Sequence, residues 1–345
     1  MTARSTAKTQ RNGEVEMTAD IVNAEKPTLH ADKAARFRKA IVFCCDTNYL
    51  PYAMHAATEI TRAAPMRDFD ICLCYGTQKV TVPDSLGHLD IRLCQIDTNG
   101  CFEGLRLDKG KTHDVYLRIA LPTVFAEDYD RILYLDADIF VQGGDFSTLM
   151  DVDMGSHCVG AVRDNVQWRT PNRQNARNTM RGVPASPYFN AGVMLMDVKS
   201  YLEQDLMTRC ITFGRAHKSE LKRHDQNLYN AVLQGDWAEL SPMWNWQFSR
   251  AARLFATLVS PHVLHFIGPE KPWKDREGQF EPRFLASYKR FIETHFPDHK
   301  MPPDPETRLT TDSARMTKML VKHLMTRRKM ARFLARFPTD MTVHL

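Results

Sequence analysis

The sequence predicts an α/β protein: a mixed, mostly parallel sheet flanked by helices, followed by a basic amphipathic helical tail. Three observations carry this. From residue 39 onward, strand-like apolar runs alternate with helix-patterned stretches, the order that builds parallel sheets covered by helices on both faces. The run Ile132-Leu133-Tyr134-Leu135 is apolar without interruption, as in a strand buried on both sides. Between Ser313 and Phe337, eight basic residues and no acidic ones are interspersed with Met, Leu and Phe at roughly helical spacing.

Taken in order, the first 38 residues are polar and weakly patterned, and are expected to be disordered or loosely attached. Residues 40–45 read as a buried strand and 52–64 as a helix ended by Pro65. Further strands are expected at 69–75 and 89–96. Residues 114–125 look helical despite Pro122, and 131–135 form the strand that runs into Asp136-Ala137-Asp138. Later strands are expected at 158–162, 193–197 and 263–267, and helices at 199–216 and 225–233. Met301-Pro302-Pro303-Asp304-Pro305 is a linker signal. The expected organisation is therefore a loose segment 1–38, a domain 39–300, and a Pro-containing linker with the tail at 301–345. The tail's helical period breaks near Arg327, and removal of 313–345 should leave the domain folded.

A chain of 345 residues with 43% hydrophobic content can bury a sizeable core. Its eight cysteines show no metal-binding spacing and mostly lie in or beside apolar runs. They read as small buried hydrophobes whose reduced state fits a cytosolic compartment. The first twenty residues have no apolar core of a secretory signal, and no apolar run reaches the ~18 residues of a membrane span. The net charge is +5, and the tail contributes eight positive charges, leaving 5 − 8 = −3 for the rest. Positive charge confined to one segment argues against a general nucleic-acid-binding surface.

The chemistry concentrates at Leu135-Asp136-Ala137-Asp138-Ile139. Side chains alternate along an extended strand, so Asp136 and Asp138 share a face. Two like charges beside a buried strand need a positive partner. A divalent cation supplies one, and oxygen ligands favour Mg²⁺ or Mn²⁺ over zinc. On their own, these carboxylates also fit a helix cap or a loop. Other polar stretches flank apolar runs: Asp46-Thr47-Asn48-Tyr49, Phe189-Asn190-Ala191-Gly192 before a strand, His224-Asp225-Gln226 opening a helix, and His265 to Trp273 after the last strand. That is where α/β proteins place their sites.

In the order and rough spacing of Tyr134-Leu135-Asp136-Ala137-Asp138, Phe189-Asn190-Ala191-Gly192-Val193, Asp225-Gln226 and His265-x-x-Gly268-Pro269-x-Lys271-Pro272-Trp273, the chain resembles the family 8 glycosyltransferases over about residues 39–275. These are retaining enzymes of GT-A, Rossmann-like fold. They include bacterial lipopolysaccharide galactosyl- and glucosyltransferases. The resemblance implies that Asp136, Asp138 and His265 ligate Mn²⁺ (or Mg²⁺) on the diphosphate of a UDP-sugar. It implies that Asp46 and Asn48 contact uridine and Tyr49 stacks on uracil. Arg118, Asp164, Asn190 and Asp225 would contact the donor sugar, with Ala137, Ala191 and Gly268 also in the donor-binding set. The implied catalytic residues are Gln226 near the anomeric carbon, Asp225, and Lys271 against the leaving diphosphate. Thr47 stands where relatives often carry an acidic residue.

The implied reaction moves galactose or glucose from UDP to a hydroxyl of a saccharide acceptor, lipopolysaccharide core or another glycolipid. The tail then reads as an anchor to an anionic membrane surface, placing a cytoplasmic enzyme on the inner face of the plasma membrane. The bland alternative packs it on the enzyme's own core or a partner's, with its basic face solvated. A haloacid-dehalogenase-type phosphatase also uses an apolar strand ending in Asp-x-Asp, but usually needs Thr or Val where this chain has Phe140. A non-catalytic sugar-nucleotide-binding protein is the third reading.

Overall fold

The computed structural model describes residues 26–108, 112–174, 185–221, 224–249, 252–306, 308 and 311–345. Residues 1–25 of the segment expected to be loose lie outside the described residues. Its remainder does not hang free. Strand β1 (Thr28–Ala31) pairs antiparallel with β4 (Arg92–Asp97) and forms one edge of the main sheet. The short strand, Thr28-Leu29-His30-Ala31, stays mostly exposed, so its pairing carries no hydrophobic signature.

Next come β2 (Lys39–Cys44), helix α1 (Leu50–Ala63) and β3 (Asp70–Tyr75). Helix α2 (Leu117–Val124) precedes β5 (Arg131–Leu135), which runs into the acidic pair and then β6 (Ile139–Val141). They are followed by α3 (Phe146–Met150), β7 (Val159–Arg163), α4 (Asn165–Trp168) and β8 (Phe189–Asp197). Helices α5 (Val198–Glu203), α6 (Leu206–Ala216) and α7 (His224–Leu233) lead to β9 (Ala238–Leu240) and β10 (Trp246–Gln247). The chain ends with α8 (Arg253–Val259), β11 (Val263–His265), α9 (Pro282–His295), α10 (Ser313–Leu334) and β12 (Val343–His344).

The main sheet has the order β1-β4-β3-β2-β5-β8-β7-β9-β12. Strands β4, β3, β2, β5, β7 and β9 run the same way, while β1, β8 and β12 run against them. Alternation along the central strands builds a core on each face, as the uninterrupted apolar runs require. Ile41, Phe43, Leu133 and Leu135 pack on one side with residues of α1, α9 and α10. Ala40, Val42, Ile132 and Tyr134 pack on the other with residues of α2, α6 and α7.

Three expectations are corrected. The helix expected at 199–216 is two helices, because Asp205 adopts a left-handed conformation (φ 47°) between α5 and α6. The strand expected at 193–197 begins at Phe189, so Asn190, Ala191 and Gly192 lie within β8 rather than before it. The tail helix is continuous through Arg327. The apparent break in its period arises because its apolar residues serve two faces. Met330 and Phe333 are buried against the body, whereas Leu320, Val321, Leu324 and Met325 point outward at 47–75% exposure.

A second, three-stranded sheet, β10-β11-β6, positions the site. Strand β6 continues directly from the acidic pair, and its antiparallel register sets His265 opposite Ile139. That pairing brings a histidine 127 positions downstream beside Asp138.

Candidate active site

The acidic pair follows the carboxyl end of β5, a central strand, where open parallel sheets hold their ligands. The Asp136 backbone NH donates to the Gly192 carbonyl (2.8 Å) and the Asp138 carbonyl accepts from Phe266 NH (3.0 Å). Both aspartates are thus fixed by neighbouring strands. His265 Nε2 lies 3.2 Å from Asp138 Oδ1 and 3.7 Å from Asp136 Oδ2. One ligand atom from each of the three residues falls within 4.8 Å of the others, the only such cluster among the described residues.

The donor set of two carboxylate oxygens and one imidazole nitrogen fits Mn²⁺ or Mg²⁺. His265 Nδ1 lies 3.0 Å from Asn245 Oδ1, the second contact that orients a metal-binding imidazole and leaves Nε2 forward. Asn245 in turn donates to Asn190 Oδ1 (3.0 Å). A side chain at Gly192 would collide with His265 and come within 2.7 Å of Asp136 Oδ2. The cradle therefore exists because that residue has no Cβ.

Charge is arranged around the triad. Lys271 Nζ donates to Asp138 Oδ2 and to the Phe266 carbonyl. Burial pushes the Asp138 carboxyl up, but His265 and Lys271 outweigh it and hold it well below the usual carboxylate range. Arg118 pairs with Asp136 Oδ1 (3.0 Å) and approaches Asp225 Oδ2 (3.0 Å), and its guanidinium lies 4.3 Å from the centre of the Tyr134 ring. The Tyr134 hydroxyl donates to Asp136 (2.6 Å). Asp225 opens α7; burial raises its carboxyl, Arg118 opposes the shift and Asp136 adds to it.

The bulge between β7 and β8 gives this region its acceptors. Along β7 the pairing passes from Ala161 to Val162, while along β8 it jumps from Met194 to Asn190. The skipped residues are left open to side chains. Arg118 donates to the Ala191 carbonyl (3.0 Å), and Gln226 Oε1 accepts from Ala191 NH and Asn190 Nδ2 (3.4 Å each).

A cleft of about 480 Å³ opens beside the triad, lined among others by Asp46, Tyr49, Arg118, Asp136, Ala137, Asp138 and Asp225, a size suited to a nucleotide-bearing ligand. Asp46 accepts from Asn48 NH (3.0 Å) and Tyr49 NH (3.1 Å), and Tyr49 meets Trp273 edge-on. Asp164 is 4% exposed and caps α4 through Val166 NH. It follows β7, two strands from β5 in the sheet and outside the lining of the cleft, and its neighbour Asn165 is tied to Gln247 (2.8 Å). Gly268 (φ 89°) shapes the loop after β11.

The sequence reading missed Asn245, Gln247, Asp114 and the Cys44–Cys45 wall of the cleft, and gave Tyr134 and His224, which it quoted only within motifs, no role of their own. The alternation Trp244-Asn245-Trp246-Gln247 was the available signal. Read as a strand it would put two amides on one face and two indoles on the other; in the structure only Trp246 and Gln247 are strand, and Asn245 closes the turn that Trp244 ends.

Fold and site together define the class, a glycosyltransferase with a GT-A-like fold. More narrowly, the chain belongs to glycosyl transferase family 8, whose family model matches residues 40–277. General stress protein A of Bacillus subtilis is 30% identical over 261 residues, 68% of this chain and 86% of that protein. The lipopolysaccharide 1,3-galactosyltransferase of Salmonella typhimurium is 27% identical over 176 residues, 48% of this chain and 50% of that protein. The lipopolysaccharide glucosyltransferase WaaO of Escherichia coli is also 27% identical and is covered to 51%. The chain thus spans about half the length of these two relatives. In fold it is similar to an active-site mutant of LgtC, with a TM-score of 0.60 at 23% identity over 77% of this chain and 98% of that one.

Proposed function

We propose that this glycosyltransferase moves a hexose, galactose or glucose, from a UDP-sugar to a hydroxyl of a saccharide acceptor, with retention and with help from Mn²⁺ or Mg²⁺. The convergence of Asp136, Asp138 and His265 beside the cleft carries this reading. Five aspartates line that cleft: Asp46, Asp114, Asp136, Asp138 and Asp225. Arg118 and Lys271 alone do not offset them, so a diphosphate would be repelled without a cation. When bound, the cation supplies positive charge where negative charge develops on the leaving diphosphate.

The chain's own residues do the rest. Lys271, held beside Asp138, is the protein's cation for the leaving group. Asp46, Asn48 and Tyr49 take the uridine. Arg118, Asp164, Asn190 and Asp225 hold the sugar hydroxyls and orient the anomeric carbon, with Ala137, Ala191 and Gly268 furnishing backbone around the donor. Gln226, in α7, hydrogen-bonds to the bulge of β8, and an amide is a poor nucleophile, which supports same-face attack by the acceptor. The decisive test incubates the protein with Mn²⁺ and a panel of UDP-sugars. Slow hydrolysis of UDP-galactose or UDP-glucose is expected; release of phosphate from simple phosphoesters instead would support the phosphatase reading.

The acceptor is a lipopolysaccharide core or another glycolipid, reached from the cytoplasmic face of the membrane. The names of two relatives support this, as does the outer face of α10. Exposed Leu320, Val321, Leu324 and Met325 lie among Lys318, Lys322, Arg327, Arg328 and Lys329. Among the described residues no helix is long and apolar enough to cross a membrane, and this face suits surface binding to anionic lipid. Sedimentation with anionic vesicles, lost at high salt and absent with neutral vesicles, is the expected result.

A further inference from the structure

The tail was expected to be an appendage, yet its last third is packed into the body of the fold, against Trp168 and Glu239. Phe333 stacks on Trp168, with ring centres 5.4 Å apart and planes 14° from parallel, and Trp168 leans on Trp246 at 5.1 Å. The Trp168 indole NH donates to the Arg163 carbonyl (2.6 Å). Arg163 is the residue before Asp164, and Trp168 ends the one-turn helix that Asp164 caps. A second line of contacts reaches the same corner. The Arg336 guanidinium grips Glu239 with two hydrogen bonds (2.8 and 2.7 Å), and Arg163 grips the other side of that carboxylate with two more (2.9 and 2.7 Å). Strand β12 then pairs with β9, setting His344 opposite Glu239. Trp244 donates to the Asp340 carbonyl (2.9 Å), and His262 lies 2.7 Å from the Asp340 carboxylate.

The Phe333 and Arg336 contacts converge on one corner of the fold, the turn from β7 into α4. Gln247 ties that corner to the metal cradle. Its amide donates to the Arg163 carbonyl (2.9 Å) and accepts from Asn165 NH (2.8 Å). In register it sits opposite His265. The corner is thus clamped from the site side by Gln247 and from the rear by the tail.

We propose that residues 330–345 are a positioning element of the donor site, with Phe333 and Arg336 holding the corner that presents Asp164 to the donor sugar. This rests on the reading of Asp164 as a sugar contact. The tail touches no substrate; it acts by fixing the direction of α4. Two separate attachments, an aromatic stack and a doubly gripped carboxylate, restrain that direction.

The test uses the full chain. Phe333→Ala, Phe333→Leu (which keeps a large apolar side chain but removes the planar stack) and Arg336→Gln are compared with Asp164→Asn. Three quantities are measured: kcat for Mn²⁺-dependent hydrolysis of the preferred UDP-sugar, the affinity for UDP alone, and Tm. UDP carries no hexose, so its affinity reports the uridine and metal sites without the corner. The expected result is a kcat fall of about tenfold or more in the Phe333 variants, with UDP affinity within about twofold of the parent. Arg336→Gln should show a smaller fall of the same kind. Equal losses of kcat and UDP affinity, tracking Tm, would mean that the tail merely stabilises the fold, and the proposal fails. Unchanged kcat in the Phe333 and Arg336 variants, with Asp164→Asn impaired, also overturns it. Parental activity in Asp164→Asn sinks the sugar-contact reading itself, a distinguishable failure.

Discussion

The sharpest prediction concerns Gly192, where a single methyl group tests the metal cradle. An alanine Cβ there would stand 2.7 Å from Asp136 Oδ2 and 2.7 Å from His265 Nδ1, where ordinary contact begins at 3.4 Å. Asp136 must therefore retreat by about 0.7 Å, and the His265 ring, whose Cε1 would lie 2.2 Å from the new methyl, by about 1.2 Å. Neither has slack. His265 is held by Asn245, and the Asp136 backbone is hydrogen-bonded to Gly192 itself. Misplacing a catalytic group by about 1 Å costs on the order of 100-fold in rate, and overpacking a well-packed site costs roughly 1–3 kcal/mol of stability. Gly192→Ala is accordingly expected to lose between about 10- and 100-fold in Mn²⁺-dependent UDP-sugar hydrolysis. Its half-saturating Mn²⁺ concentration should rise. The control is Gly87→Ala, because a Cβ at Gly87 meets nothing within 4 Å and that glycine needs no left-handed backbone. Parental activity and parental Mn²⁺ dependence in Gly192→Ala would refute the claim that Asp136 and His265 jointly hold the cation.

Three further outcomes are expected. Asp138→Asn keeps the volume but not the charge, and should abolish Mn²⁺-dependent hydrolysis while the far-ultraviolet circular dichroism stays parental. Asn245→Ala frees His265 Nδ1 and should weaken Mn²⁺ binding by about 10- to 100-fold, measured by metal titration. At Glu239, burial raises the carboxyl, but Arg336 and Arg163 outweigh it and hold it below the usual glutamate range. A depressed carboxylate stabilises fully above the ordinary glutamate pKa of ~4.3 and loses that contribution as pH falls through its folded value. Thermal unfolding of the parent and Glu239→Gln should thus differ most near neutrality and converge below about pH 4; a constant gap across that window would show that the carboxylate's charge is not what holds the tail.

What the sequence discloses about this protein divides by the range of the physics involved. The Asp136–Asp138 pair is legible because its signal is local: an apolar run sets the strand that delivers the two carboxylates, although they sit in the bend between β5 and β6 and are aligned by neighbouring strands rather than by strand periodicity. Likewise the alternation of strands and helices needs only neighbouring residues, and the central strands fall within a residue or two of expectation, apart from the late start expected for β8. Its true beginning at Phe189 hides because the Asn-Ala-Gly stretch reads as a turn. Only the two flanking strands show that it is a bulge, with backbone groups handed to Arg118 and Gln226. The role of Gly192 depends on a histidine 73 residues away and could not be read from its own surroundings. The tail is the most instructive case. Its hydrophobic period looked broken because a single stripe was sought, whereas α10 carries one apolar face inward at Met330 and Phe333 and another outward at Leu320 to Met325. A helix with two apolar faces and cations between them gives a weak one-sided pattern, and that ambiguity is itself informative. Leu324 and Phe333 are nine residues apart, about two and a half turns, so they point in roughly opposite directions. A helix on an enzyme surface with that arrangement has two separate surfaces to cover, and here the protein's own Trp168 covers one of them.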